Sequence, residues 1–258
     1  MRLPVDTDDG APACGEDRRR AELGAALEAV RARVAGAEAT AGRAPGSARL
    51  MVVTKFFPAA DLARLIGLGA TEFGESREPE AGRKVAAVRS ELSGVGFDVD
   101  MIGSLQRKKA KTVARWARRV QSVDSPGLVD ALARATAAAL EAGARVQPLG
   151  VLLQVSLDGD PARGGAVESG LPALADAVTG HEGLLTLDGL MAIAPVHGEA
   201  EAHLAHAAQI AERFRTRHPA ATELSAGMSG DVESAIAHGS TCVRVGTAIM
   251  GPRPLASQ

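Results

Sequence analysis

The sequence contains no tyrosine, and one tryptophan and five phenylalanines bring aromatic residues to only 2% of its 258 positions. A core built from large rings is thereby excluded. Hydrophobic residues still make up 46% of the chain, so a sizeable core must form from many small and branched contacts. Layers of aliphatic side chains inside a barrel suit that requirement. Cysteine is scarce too: Cys14 and Cys242 lie far apart, which argues against a disulfide framework and for a reduced, intracellular setting. No apolar run is long enough to span a bilayer. The start, Met1-Arg2-Leu3-Pro4-Val5-Asp6, lacks the basic opening and apolar middle of a signal peptide. A cytoplasmic protein is expected, and a monomer. Neither charge is in excess: 29 Lys plus Arg face 31 Asp plus Glu, a formal net charge of −2. Nothing in that balance asks for a nucleic-acid or membrane partner.

A chain of this length suits one barrel or one large α/β unit. Residues 1–15 are polar and rich in Gly and Pro, and read as a disordered tail ahead of a single domain over 16–258. A helix is expected from Glu16 to Arg43, with Leu23, Leu27, Val30 and Val34 at helical spacing. After Pro45-Gly46 short apolar runs alternate with helical patterns. Strands are expected at Leu50–Thr54, Thr71–Phe73, Phe97–Ile102, Val120–Val123, Leu149–Leu157, Leu184–Met191, Thr222–Ser225 and Thr241–Val245. The intervening helices include Ala59–Leu68, Glu80–Leu92, Leu105–Arg118, Gly127–Ala142 and Glu199–Arg217. Continuous apolar strands alternating with helices imply a parallel sheet covered on both faces. Eight such units in one chain favour a closed (β/α)8 TIM barrel, with an additional N-terminal helix, over an open sheet.

In such barrels the chemistry sits at the C-terminal ends of the strands. Lys55 ends the first strand and shares a face with Met51 and Val53, so it can point into the barrel mouth. Partial desolvation there lowers a lysine pKa and makes the neutral amine a nucleophile for carbonyls. A strand-end lysine whose ammonium escapes to solvent is the other reading of the same position. The seventh loop runs Ser225-Ala226-Gly227-Met228-Ser229-Gly230-Asp231 and the eighth Arg244-Val245-Gly246-Thr247, each leading into a helix. Small residues and free N–H groups at a helix start admit a phosphate, although Ser229 and Thr247 taken singly are also ordinary helix caps. Arg244 falls between Val243 and Val245 on the eighth strand, where a charge is costly unless paired or functional. The basic run Arg107, Lys108, Lys109, Lys111, Arg115, Arg118 and Arg119 reads as a solvated helix face. So do His203 and His206, although with His197 and Glu199 nearby a metal site is imaginable; no metal site is expected.

Val53-Thr54-Lys55, Phe73-Gly74-Glu75, Ile102-Gly103-Ser104-Leu105-Gln106, Gly189-Leu190-Met191-Ala192-Ile193, Gly227-Met228-Ser229-Gly230-Asp231 and Gly239 to Ile249 occur in an order that resembles the pyridoxal phosphate homeostasis proteins of the YggS/PROSC type. The resemblance covers roughly residues 48 to 253. It implies the barrel of alanine racemase N-terminal domains and a bound pyridoxal 5'-phosphate. By the same resemblance, Lys55 is similar to the Schiff-base lysine. Ser229, Gly246 and Thr247 are similar to the phosphate cradle, with Met228 and Gly230 in the same loop. Arg244 is similar to the residue facing the pyridine nitrogen, and Met191 and Ile193 resemble residues near the ring. The chain departs from the family pattern at Ser76, where Asn is usual, at Phe57, where a second lysine is common, and at Val99-Asp100, which replace an aromatic-His pair. The phosphate side is thus kept and the side near the reactive carbon altered.

The resemblance implies a protein of cofactor homeostasis, passing pyridoxal phosphate to dependent apoenzymes, rather than a vigorous enzyme with catalytic residues of its own. Racemases of this fold draw one of two bases from a tyrosine, which this sequence lacks; Asp100 or Ser76 stand as conceivable substitutes. A weak amino-acid enzyme of alanine racemase type is the first alternative. A Schiff-base aldolase barrel acting on a phosphorylated substrate is the second.

Overall fold

The computed structural model describes residues 11–160, 164–195 and 199–253. Its first helix, α1 (Ala11–Thr40), starts ahead of the expected Glu16. Ala11 to Gly15 were read as tail from their Gly and Pro content, but a proline in a first turn gives up only an N–H that the helix leaves unpaired. The ten residues before Ala11 lie outside those described. Leu23, Leu27, Val30 and Val34 are buried along one face of α1, each contributing roughly 1.5–3 kcal/mol of apolar burial.

Eight strands follow: β1 (Arg49–Val53), β2 (Glu72–Glu75), β3 (Asp98–Met101), β4 (Arg119–Val123), β5 (Leu149–Val155), β6 (Leu185–Ala192), β7 (Glu223–Ser225) and β8 (Cys242–Val245). All pair in parallel with their sequence neighbours, and β8 closes on β1. Between them run α2 (Ala59–Gly67), α3 (Glu80–Glu91), α4 (Ala110–Val113), α5 (Pro126–Glu141), α6 (Leu171–Thr179), α7 (Ala200–Arg217) and α8 (Val232–Ala237), and α9 (Thr247–Met250) follows β8. The chain is thus the expected (β/α)8 barrel with an extra N-terminal helix, which packs over α2, α8 and α9. Among the described residues no helix is long and apolar enough to cross a membrane.

One expected helix is much shorter. In place of Leu105–Arg118 the chain makes a single 3-10 turn at Arg107–Lys109 and then α4. The N–H of Arg118 already bonds to Val99 O of β3 at 2.9 Å, so the chain has joined the sheet where helix was expected. Arg118 and Arg119 are therefore not part of a solvated helix face. Arg118 pairs with Glu72, Asp98 and Asp100, and Arg119 with Asp188.

The barrel interior also departs from the aliphatic layers expected from composition. Val52, Phe73, Val99, Val120 and Val243 face outward into one apolar core with the helices. Alternate residues point inward, and these include Arg49, Asp100, Arg119, Gln121, Ser225 and Arg244. Arg49 bridges Glu72 and Glu223 at 2.5 and 2.6 Å across the N-terminal end of the barrel. Such charges survive inside because each finds a partner on another strand. Gly150 leaves room for one pair: a Cβ there would lie 2.6 Å from Asp188 Oδ2 and 3.1 Å from Arg119 Cγ. Burial pushes the Cys242 thiol up to about 11, which leaves it protonated and inert at neutral pH.

Candidate functional site

At the C-terminal ends of the strands a cavity of about 560 Å³ opens, within the range of roughly 300–1,000 Å³ usual for small-molecule sites. Lys55, Ser76, Met228, Ser229, Gly230, Arg244, Gly246 and Thr247 all line it, together with Ile102, Gly103, Ser104, Gln154 and Ile193, so that seven of the eight strands or the loops that follow them contribute. The loops after β2 and β3 touch closely, since a Cβ on Gly103 would lie 2.3 Å from Ser76 O.

Lys55 follows β1 by two residues and stands exposed on the cavity rim. Its pKa is lowered from 10.5, first by desolvation and then by the neighbouring charges of Arg244, Arg77 and Arg253, with Glu75 opposing. Glu75 is engaged elsewhere: its Oε1 accepts from Lys84 Nζ at 2.7 Å and from Thr54 Oγ1 at 2.6 Å. Among the described residues no carboxylate forms an ion pair with Lys55. Phe56, next in the chain, has φ 74°, a strained conformation for a residue other than glycine. Its ring carries the guanidinium groups of Arg253 at 4.0 Å and Arg77 at 4.9 Å. Nothing in the sequence marks Phe56 as a turn residue, nor Arg77 and Arg253 as part of this rim.

Across the cavity the loops after β7 and β8 meet. Thr247 Oγ1 donates to Ser229 Oγ at 3.1 Å, and the Ala248 N–H to Ser229 Oγ at 3.4 Å. The glycine that turns the first loop is obligatory: Gly227 has φ 91°, and a Cβ there would lie 2.4 Å from Ala235 Cβ. Behind the loop, Arg33 of α1 reaches Glu233 by two bonds of 2.8 Å and Ser229 O by two of 3.3 Å. The extra helix therefore braces this loop. Arg33 holds the Glu233 carboxyl below its usual pKa.

Arg244 forms part of the cavity floor, 5% exposed. Nη1 donates to Ser225 Oγ at 2.7 Å and Nη2 to Ala192 O at 2.9 Å. Burial lowers its pKa, yet a guanidinium stays charged in proteins.

Two residues read as near the site, and the departure at Phe57, fall elsewhere. Met191 is fully buried within β6 and does not line the cavity. Ile193, two residues on and hence on the same face, occupies the mouth instead. Asp100 is fully buried in the barrel interior and also absent from the lining, so it is no substitute base. Phe57 faces the helical layer and packs against the core beside Arg19. His197 lies outside the described residues. Among the described residues no group of three or more His, Cys, Asp or Glu is placed to hold a metal.

Residues 26–254 match the family of the alanine racemase N-terminal domain. The chain is 46% identical over 249 residues to the pyridoxal phosphate homeostasis protein of Mycobacterium tuberculosis, covering 93% of this chain and 96% of that protein. The structure of PipY from Synechococcus elongatus PCC7942 with PLP bound superimposes with a TM-score of 0.70 at 29% identity, over 89% of this chain and all of that one. The alanine racemase of Corynebacterium glutamicum shares the fold at 16% identity, with a TM-score of 0.63 over 90% of this chain and 63% of that one.

Proposed function

The chain belongs to the pyridoxal phosphate homeostasis protein family, built on the alanine racemase N-terminal barrel, and on that premise we propose that it carries pyridoxal 5'-phosphate as a Schiff base on Lys55 for intracellular homeostasis of that cofactor. The observation that carries this reading is the grouping of three chemistries around one cavity. An amine of lowered pKa suits an aldehyde, paired hydroxyls at Ser229 and Thr247 suit a phosphate, and a buried guanidinium at Arg244 suits a ring nitrogen. Gly230 and Gly246 would leave the phosphate's approach free of side chains, and Met228, Ser76 and Ile193 line the same cavity, where they would border the ring.

When bound, the cofactor supplies an aldehyde and an electron-withdrawing ring. Arg244 cannot accept a proton, so it leaves the ring nitrogen unprotonated and the ring a weak electron sink. Among the described residues, the ionisable ones lining the cavity are Lys55 and Arg244. One base is thus present where racemisation needs two, on opposite faces of the reacting carbon. That favours a carrier over the amino-acid enzyme. The exposed rim position of Lys55 suits release to pyridoxal phosphate-dependent apoenzymes. The scatter of exposed large apolar residues, Phe56, Val95, Val146, Val167 and Met228, supports action as a monomer. The balanced charge and the wide separation of Cys14 and Cys242 in the sequence suit the cytoplasm.

Two measurements test these points. Ser229→Ala and Thr247→Val each remove a hydroxyl from the phosphate side, and each is expected to weaken binding of pyridoxal phosphate about ten-fold, from roughly 1.5 kcal/mol per bond. An absorption titration reads the change, and unchanged affinity in both variants contradicts the cradle. Titration of the unmodified protein without any spectral change favours the aldolase alternative. Loaded protein incubated with L-alanine in deuterium oxide is expected to exchange the Cα hydrogen slowly and without net racemisation. Turnover at about 1 per second or faster makes it an enzyme.

A further inference from the structure

Gln121 of β4 and Ser225 of β7 lie on strands separated by β5 and β6, yet Ser225 Oγ and Gln121 Oε1 are 2.7 Å apart. Their bond crosses the barrel interior. Gln121 Nε2 continues it to Asp100 Oδ2 at 2.7 Å, and Arg244 Nη1 meets Ser225 Oγ at 2.7 Å at the other end. Asp100, Gln121 and Ser225 are all 0% exposed.

The direction of every bond is fixed by chemistry. A guanidinium only donates, so Ser225 accepts from Arg244 and spends its single hydrogen on Gln121. The Gln121 oxygen is then taken, and its amide hydrogens face Asp100. Arg118 grips Asp100 from the far side, Nε to Oδ1 at 2.9 Å and Nη2 to Oδ2 at 3.2 Å. Burial pushes the Asp100 carboxyl up, against Arg118 and Gln121; both of its oxygens accept from the Arg118 guanidinium, the geometry of an ion pair. Arg244 makes no ion pair of its own among the described residues. The chain of donors running Arg244, Ser225, Gln121, Asp100 joins it to a counter-charge on the opposite side of the barrel.

We propose that Asp100, Gln121 and Ser225 are positioning residues for Arg244, a one-directional relay that locks its guanidinium at the cavity floor and tunes the field it presents to a bound ring. The inference rests on the cofactor reading above for what Arg244 faces, but the locking itself is a property of the protein alone.

The test has two arms. In cofactor-free protein labelled with ¹⁵N-arginine, the Arg244 guanidinium, assigned by its loss in Arg244→Lys, is expected to show hindered rotation and slowed proton exchange. Both are expected to vanish in Gln121→Met and in Ser225→Ala. In the second arm, pyridoxal phosphate is titrated into the same proteins. Each variant is expected to bind roughly five- to ten-fold more weakly and to shift the pH midpoint of the bound absorption band, while melting within a few degrees of the parent. Gln121→Glu supplies the discriminating case should either variant fold poorly. With its introduced carboxyl protonated it still donates to Asp100 and accepts from Ser225; ionised, it repels Asp100. Its affinity relative to the parent is therefore expected to fall as pH rises. A freely rotating Arg244 in the parent, or unchanged band and affinity in all folded variants, overturns the relay. Failure of the parent to bind pyridoxal phosphate, with Arg244 still locked, overturns the cofactor reading and the tuning role but not the locking.

Discussion

Lys55→Ala is expected to lower affinity for pyridoxal 5'-phosphate by at least about 100-fold, equivalent to roughly 2.7 kcal/mol, and to abolish retention through dialysis. The remaining contacts, hydroxyls and N–H groups on one side and Arg244 beneath, are non-covalent and open to solvent exchange. No neighbouring lysine is placed to take over. Lys84 Nζ is held by Glu75 and by Thr54 O at 2.9 Å, and Lys109 Nζ is bound to Glu78 O. Lys55 has the lowered pKa that leaves a larger neutral fraction near pH 7. Equilibrium titration followed by dialysis measures the effect. Affinity within about five-fold of the parent means that the amine is not the attachment point.

Gly189→Ala is expected to cost on the order of 3 kcal/mol or more of stability, a fall in Tm of roughly 10 °C for a chain of this size. Gly189 has φ 151°, and a Cβ there would lie 2.0 Å from Glu223 O and 2.8 Å from Glu223 N and C. Those are backbone atoms of the adjoining strand β7, so no side-chain rotation relieves the overlap. The position also falls where β5 and β6 slip register, between Val151 and Leu152, a bulge that a Cβ would force open. Gly96→Ala serves as control, since its added Cβ meets nothing within 4 Å. Thermal unfolding followed by circular dichroism separates the two. Equal melting of both variants contradicts the close approach of β6 to β7.

The strand and helix order was legible because both rest on short-range periodicity. The apolar runs at Leu50 and Leu149 and the spacing of Leu23, Leu27, Val30 and Val34 mark elements wherever the chain later folds. The face-sharing of Met51, Val53 and Lys55 was enough to bring Lys55 to the barrel mouth, and the small-residue loops at Ser229 and Thr247 were readable as a pair. What could not be read depends on partners distant in sequence. Arg49 and Glu223 are 174 residues apart, so nothing local reveals that the barrel interior is charged. The same holds for Arg118 and Arg119, whose carboxylate partners on β2, β3 and β6 turn an apparent basic helix into the start of a strand. Met191 and Asp100 lie deeper than the cavity lining, because alternation gives the face of a strand but not how far along it the cavity begins. Phe56 adopts its left-handed φ under tertiary constraint, with Arg77 and Arg253 about its ring, and no residue type announces that.

The central claim is covalent attachment at one lysine. Protein loaded with pyridoxal 5'-phosphate, reduced with borohydride and digested is expected to yield a single modified peptide, with the adduct on Lys55. An adduct on Lys84, Lys108, Lys109 or Lys111 instead, or no stable adduct at all, contradicts it.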